Sequence, residues 1–284
     1  MGNKVDLAGF WLAVILLMGV GCTYQQSSTP AETEALPSLS ETIISVTTPS
    51  GAMQTGVLSM RGDASEARYL AVIIPGHPGI LRPTNGPNGA VRVRLAGNFL
   101  IRSRHHLVDR DIPALLVDCR SDFQEACMDE YQASEDRVRD IEALVRRTRA
   151  LLPAVSQIWI VSTSRGALTS AAAVSFGERT FTGAIHTAGM IDRARELGLD
   201  FRGAMPQFII HHADDPCYVT SFASARTLAR EQSITLITAR GGNGFRGRLC
   251  DAYTQHGFNG IEPAVMGRVR EVIRGTDRTN RSVP

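Results

Sequence analysis

The sequence predicts a doubly wound α/β domain on a mostly parallel sheet, and three observations carry that expectation. Short continuous apolar runs, such as YLAVIIPG (69–76) and IPALLVDC (112–119), suit strands buried on both faces. They alternate with longer stretches whose apolar residues recur at helical spacing, as parallel crossovers require. Finally, Ser164 and Asp215 fall just after apolar runs, and His256 lies in the loop-rich stretch beyond the last of them. Those are the loops at the carboxyl ends of strands, where open α/β sheets bind their ligands.

The elements follow in order. TIISVTTPS (42–50) and MQTGVLSM (53–60) read as an opening hairpin, and YLAVIIPG as the first buried strand. VRVRLAGNFLIRSRHHLVDRD (91–111) places Val91, Leu95, Phe99, Leu100 and Leu107 at helical spacing, so a helix is expected across it. IPALLVDC is the next strand. In SEDRVRDIEALVRRTRALLP (134–153), Val138, Ile141, Leu144, Val145 and Leu152 form an apolar stripe. Ser134 is its expected cap, and Glu135 and Asp136 complement the dipole in the first turn. QIWIVSTS (157–164) is a strand running directly into the small-residue helix RGALTSAAAVSF (165–176). FTGAIHTAG (181–189), PQFIIHHAD (206–214) and SITLITARG (233–241) supply three more strands. One domain is expected over 41–276, with 277–284 a frayed polar tail.

The amino end is different in kind. After Lys4, an apolar run over residues 8–20 closes on Gly21-Cys22. It is short of the roughly 20 residues that a membrane span needs, and suits a signal sequence. It resembles a bacterial lipoprotein signal, which implies lipidation of Cys22, a membrane attachment through that anchor and a place in the cell envelope. Residues 23–40 are polar and rich in Ser, Thr and Pro, as in a tether. Lys and Arg outnumber Asp and Glu only 30 to 28, so charge gives no reason to expect nucleic acid as a partner. Beyond Cys22 stand Cys119, Cys127, Cys217 and Cys250. Four cysteines allow three pairings. Cys119 with Cys127 is the natural local bridge, and Cys217 with Cys250 would then join distant loops; four reduced thiols are the alternative.

The chemistry centres on VSTSRGAL (161–168). Ser164 lies between a strand and a helix, where a sharp turn would hold its hydroxyl above the sheet and the helix N-terminus would favour negative charge. Small residues must flank such a turn, and Ser162 and Gly166 do. The backbone N–H of Arg165 is then one expected oxyanion donor. Asp215 follows one strand and His256 stands beyond the last, so a carboxylate, an imidazole and a hydroxyl could meet at the strand ends.

These motifs resemble the α/β-hydrolase fold family over nearly all of 41–276. IIPGHPG (73–79) is similar to the family's oxyanion loop, which implies a second donor from the His77 backbone. IIHHADDPC (209–217) is similar to its H-G-x-x-D segment, with His212 in the place of glycine, and QHGFNGIEPAV (255–265) to its terminal H-G-F segment. Ser162 also stands where glycine is usual. The resemblance implies a triad of Ser164, Asp215 and His256, in the family's chain order, with Asp214 the other acid to weigh. It implies a serine hydrolase acting on an ester-like bond of a small-molecule or acylated substrate, through an acyl-enzyme and with no cofactor. Peptidase and thioesterase activity remain open. The short stretch between the strands at 181–189 and 206–214 implies a small or absent lid. A bridge from Cys217 to Cys250 would then fix the acid loop against the base loop.

Two other readings compete. A metal-dependent hydrolase could use His211, His212, Asp214 and Asp215, but adjacent strand residues point to opposite faces, and no metal is expected. A non-catalytic ligand-binding protein could retain the fold. ARGGNGFRG (239–247) lacks the Gly-Lys-Ser/Thr of a phosphate loop and reads as a flexible connection. The His77 and His186 rings read as structural.

Overall fold

A computed structural model of the protein describes residues 39–87 and 90–283. The expected signal, Cys22 and the tether as far as residue 38 lie outside the described residues. The chain opens with strands β1 (Ser40–Thr47) and β2 (Met53–Met60), the expected antiparallel hairpin, and continues through β3 (Tyr69–Ile74). Two short strands, β4 (Thr84–Asn85) and β5 (Val91–Arg92), precede helix α1 (Phe99–Leu107) and strand β6 (Ala114–Val117). Then come α2 (Asp129–Gln132), α3 (Glu135–Arg149), β7 (Gln157–Thr163), α4 (Ala167–Phe176) and β8 (Gly183–Thr187). The remainder is α5 (Ile191–Glu196), β9 (Gln207–His212), α6 (Phe222–Glu231), β10 (Thr235–Ala239), α7 (Glu262–Arg274) and β11 (Ser282–Val283).

Among the described residues nine of these strands form one sheet in the order β1-β2-β6-β3-β7-β8-β9-β10-β11, and β4 and β5 form a separate pair. Every pairing from β6 to β11 is parallel; β1 and β2 are antiparallel additions at one edge. Alternation along the strands divides the core. Val72, Ile74 and Ile160 pack with α3, α4 and α6 on one face. Ala71, Ile73, Trp159 and Val161 pack with α1 and α7 on the other. Helix α3 begins as expected: Ser134 Oγ accepts the Arg137 N–H, with Glu135 and Asp136 in the first turn.

Two expectations are corrected. The helix expected across 91–111 is confined to α1, because Asn98 caps it by accepting the Leu100 N–H. Upstream, β5 pairs with β4, and the Arg94 N–H donates to the Leu81 carbonyl at 2.7 Å. Residues 277–284 are not a frayed tail over their described length. Ser282 and Val283 pair in parallel with Thr238 and Ala239, and Val283 is only 3% exposed. Arg268 reaches the Asp277 and Asn280 carbonyls at 2.7 and 2.6 Å, so polar contacts bring the one apolar side chain of the segment back to the sheet. Among the described residues, no helix is long and apolar enough to cross a membrane.

Candidate active site

Strand β7 stops at Thr163, and a single tight turn, 164–166, leads into α4. Ser164 takes φ +53°, a left-handed conformation uncommon for a residue with a Cβ. Close packing compels the turn. A Cβ on Gly166 would lie 2.6 Å from the Ile74 carbonyl and 2.7 Å from that of Pro75, and one on Gly76 would meet Ser164 Cβ at 3.0 Å. Behind the turn, α4 is buried from Ala167 to Val174, which its small side chains permit. Ser162 is accommodated by a partner: its Oγ lies 2.6 Å from Ser170 Oγ, which contacts His186 Nδ1 at 2.7 Å. His186 is fully buried, also meets Gln207 Oε1 at 3.3 Å, and burial pushes its imidazole down to about 4. It is a structural histidine, as its place in the sequence suggests.

Asp215 lies on the loop after β9 with its side chain 0% exposed. Its Oδ2 accepts from His256 Nδ1 at 3.0 Å, from Thr220 Oγ1 at 3.0 Å and from His211 Nε2 at 3.1 Å; Oδ1 accepts the Cys217 N–H at 2.9 Å. Burial alone would raise this carboxyl, but the hydrogen bonds from His211 and His256 outweigh it and hold it well below the usual carboxylate range. Asp214 is exposed, and only its backbone N–H enters this group, donating to His212 Nδ1 at 3.0 Å. His256 sits in a tight turn, 255–257, where Thr254 Oγ1 accepts its N–H and Phe258 turns away at φ +55°.

A cavity of about 760 Å³ brings these parts together. Ser164, His256, His77 and Arg165 line it, with Asn98 and Met190 and an apolar mouth of Tyr218, Val219 and Leu249. No hydrogen bond joins Ser164 Oγ to His256 among the described residues. The loop carrying His77 is pinned from below. Asp118 accepts the Leu81 and Arg82 N–H groups at 2.6 and 3.0 Å, and the Cys127 N–H donates to the Pro78 carbonyl at 2.8 Å. The His77–Pro78 peptide is cis. Arg165 Nη1 lies 2.7 Å from His77 Nδ1, and its Nε donates to Asp129 Oδ1. Because a guanidinium only donates, His77 must accept at Nδ1 and keep its proton on Nε2. Burial and the Arg165 charge accordingly lower the His77 imidazole.

Both disulfides are formed, Cys119–Cys127 and Cys217–Cys250. His212, in the place of a glycine, joins two loops: Nδ1 accepts the Asp214 N–H and Nε2 donates to the Gly241 carbonyl at 2.9 Å. Thr220 has no motif to mark it and escaped the sequence reading, whereas His211 stands at the histidine of the H-G-x-x-D-like segment, four residues before Asp215, and is there weighed only as a metal ligand. Among the described residues, no group of three His, Cys, Asp or Glu side chains is placed to hold a metal ion.

No family model and no curated protein matches the chain. Solved structures do. It is similar to XC6422 from Xanthomonas campestris, an α/β serine hydrolase without a lid, at 15% identity and a TM-score of 0.55, covering 85% of this chain and 97% of that one. It is also similar to ATU1826 of Agrobacterium tumefaciens, a putative α/β hydrolase, at 16% identity and a TM-score of 0.56, covering 83% and 96%. Est1E from Butyrivibrio proteoclasticus matches at 14% identity and a TM-score of 0.55, covering 83% and 98%. The chain has the α/β-hydrolase fold, and only α5 and its flanking loops stand between β8 and β9, where a lid would be inserted.

Proposed function

We propose that the protein is a serine hydrolase cleaving carboxylic ester-like bonds, with Ser164 as nucleophile, His256 as base and Asp215 as its partner. The observation that carries this reading is the backbone of Ser164. A serine held at φ +53° between a buried strand and a buried helix carries strain of about 1–3 kcal/mol, of the kind that clusters at active sites. Ser164 shares its cavity with an imidazole that a buried carboxylate holds at 3.0 Å.

The chemistry follows from those positions. Ser164 Oγ attacks the carbonyl carbon while its proton passes to His256 Nε2, and Asp215 keeps Nδ1–H oriented and stabilises the imidazolium. The carbonyl oxygen, now an anion, takes hydrogen bonds from the His77 and Arg165 N–H groups. Collapse breaks the ester C–O bond, and His256 returns the proton to the leaving alkoxide. Water, deprotonated by His256, then attacks the acyl carbon; the bond to Oγ breaks, the acid leaves, and His256 returns the proton to Ser164 Oγ. Resting enzymes often hold the serine–histidine contact loosely and tighten it when substrate binds. The apolar mouth at Tyr218, Val219 and Leu249 suits a substrate with an apolar portion beyond the scissile bond.

Intact mass after exposure to a fluorophosphonate tests this. Wild type should gain one adduct, Ser164→Ala none, and His256→Ala an adduct at a rate lower by about 10³-fold or more. A folded wild type that gains no adduct refutes the reading.

We also propose that the protein is exported and held in the cell envelope through a lipid on Cys22. Support comes from the apolar run before Cys22 and from two formed disulfides, which suit an oxidising compartment. Detergent phase partitioning checks it: wild type should enter the detergent phase and Cys22→Ser should not.

A further inference from the structure

Asp215 serves two histidines. His211, at the end of β9, is fully buried, and its Nε2 lies 3.1 Å from the same Oδ2 that holds His256 at 3.0 Å. The carboxylate can only accept, so His211 donates from Nε2. Its other nitrogen, Nδ1, is buried with no hydrogen-bond partner among the described residues. A ring buried with one idle nitrogen carries a desolvation penalty that an all-carbon ring would avoid. The space itself suits an aromatic hydrocarbon, since the ring meets Phe222 edge-on with centroids 5.9 Å apart. The feature that distinguishes histidine here is therefore its single N–H on Asp215.

We infer that His211 is a positioning residue for the proposed reaction, one that takes up part of the accepting capacity of Asp215 Oδ2 and so lets His256 work as a base at lower pH. The inference rests on the Ser164–His256–Asp215 reading. A carboxylate already accepting from His211 and Thr220 has less negative charge to offer the imidazolium that forms on His256. With His211 removed, Asp215 would bind that imidazolium more tightly, and a larger share of His256 would be protonated at any given pH.

The surrounding groups leave this pair as the adjustable element. From the acid loop, among the described residues, only Thr220 and the Cys217 N–H also reach the Asp215 carboxylate. Thr220 Oγ1 additionally lies 3.1 Å from His256 Nδ1. From α1 and α7, Arg102 and Glu262 pair with each other at 2.8 Å, and Arg102 donates to the Gly257 carbonyl beside His256. The other titratable or charged residues lining the cavity are His77, Asp129, Arg165, Arg248 and Asp251. None of these is hydrogen-bonded to Asp215 or His256 among the described residues.

The experiment is the pH profile of fluorophosphonate labelling for wild type, His211→Phe and His211→Gln. In His211→Phe the acid limb should move to higher pH by about half a unit to one unit. His211→Gln, whose amide N–H extends toward the same oxygen, should return it close to the wild-type position. Should His211→Phe not fold, His211→Asn serves as the second deletion, its shorter amide stopping short of Oδ2. An acid limb that stays in place when the N–H is removed overturns the inference, however far the plateau falls. So does a His211→Gln profile shifted as far as the deletion. Wild type that is not labelled at any pH refutes the hydrolase reading instead.

Discussion

The two walls of the cleft are both tied by a disulfide, but they are held in different ways. On the side proposed to hold the oxyanion, Cys119–Cys127 spans 8 residues beside a buried carboxylate, Asp118, that gathers the Leu81, Arg82 and Cys119 N–H groups. Beneath it, Arg137 is 1% exposed and bonds Gln54 and the Asp118 carbonyl, both at 2.9 Å. On the base side, Cys217–Cys250 spans 33 residues and ties an exposed, glycine-rich loop. Four of its glycines, Gly241, Gly242, Gly244 and Gly247, have positive φ. There the glycine-rich loop itself is held by the covalent bond and by contacts such as His212–Gly241. The lesson is one of redundancy. A wall built into the core should depend less on its disulfide than a wall made of loops.

The strongest challenge to that contrast is Asp215→Asn, which changes the carboxylate that His211, Thr220 and His256 share on the base side. The amide places an N–H where His211, Thr220 and His256 all donate, so the imidazole loses its orientation. A fall in kcat of about 10³–10⁴-fold is expected, with folding retained. Steady-state kinetics on a chromogenic ester, beside the circular dichroism of the variant, measure it. A loss of only a few fold would mean that the base side is held by something other than this carboxylate.

The two disulfides give the direct comparison. In the loop-entropy account, losing Cys217–Cys250 costs about 3–4 kcal/mol and losing Cys119–Cys127 about 2–3 kcal/mol. Stability alone would thus separate the pair by about 1 kcal/mol. Activity should separate them more. Cys217→Ser with Cys250→Ser should lower the labelling rate by about 10-fold or more, because Asp215 and His256 sit on the loops it joins. Cys119→Ser with Cys127→Ser should lower it by less than about 3-fold, because Asp118 still holds the loop. Urea unfolding midpoints and labelling rates, taken under non-reducing conditions, test both. Equal losses of rate would break the contrast.

Much of the framework was legible in the sequence because it depends on local pattern. The buried strands announce themselves as apolar runs, Ser134 as a cap, and the turn at Ser164 by its small neighbours. What could not be read depends on partners far along the chain. β5 exists because of β4, and β11 because Arg268 catches the backbone at Asp277 and Asn280. The same holds within the candidate site. Between two adjacent aspartates the H-G-x-x-D resemblance favours Asp215 and keeps Asp214 as the other acid; in the fold Asp214 is exposed, whereas Asp215 accepts three side-chain donors. Ser162 and His212 look like defects against the family pattern, but each meets a partner, Ser170 or Gly241, that no motif marks.

The smallest expected effect concerns acid, and it refines the comparison by asking which wall loosens first as pH falls. Both walls hold a carboxylate below its ordinary range. At Asp215 the hydrogen bonds of His211 and His256 outweigh burial; at Asp129 those of Arg165 and Arg193 do. A carboxylate with a depressed folded value binds fewer protons folded than unfolded. Its contribution is fully present above the ordinary carboxylate range of about 4 and fades as pH falls toward the folded value. The Asp215 side chain is fully buried, while that of Asp129 is 14% exposed and faces a cavity open to solvent. Unfolding midpoints between pH 6 and pH 3 should therefore fall most steeply for wild type and distinctly less steeply for Asp215→Asn. For Asp129→Asn the slope should be only slightly shallower than wild type. If Asp129→Asn flattened the profile as much as Asp215→Asn does, the Arg165–Asp129–Arg193 group would be as deep an anchor as any on the base side. The distinction between a core-built wall and a loop-built one would then need a different physical basis.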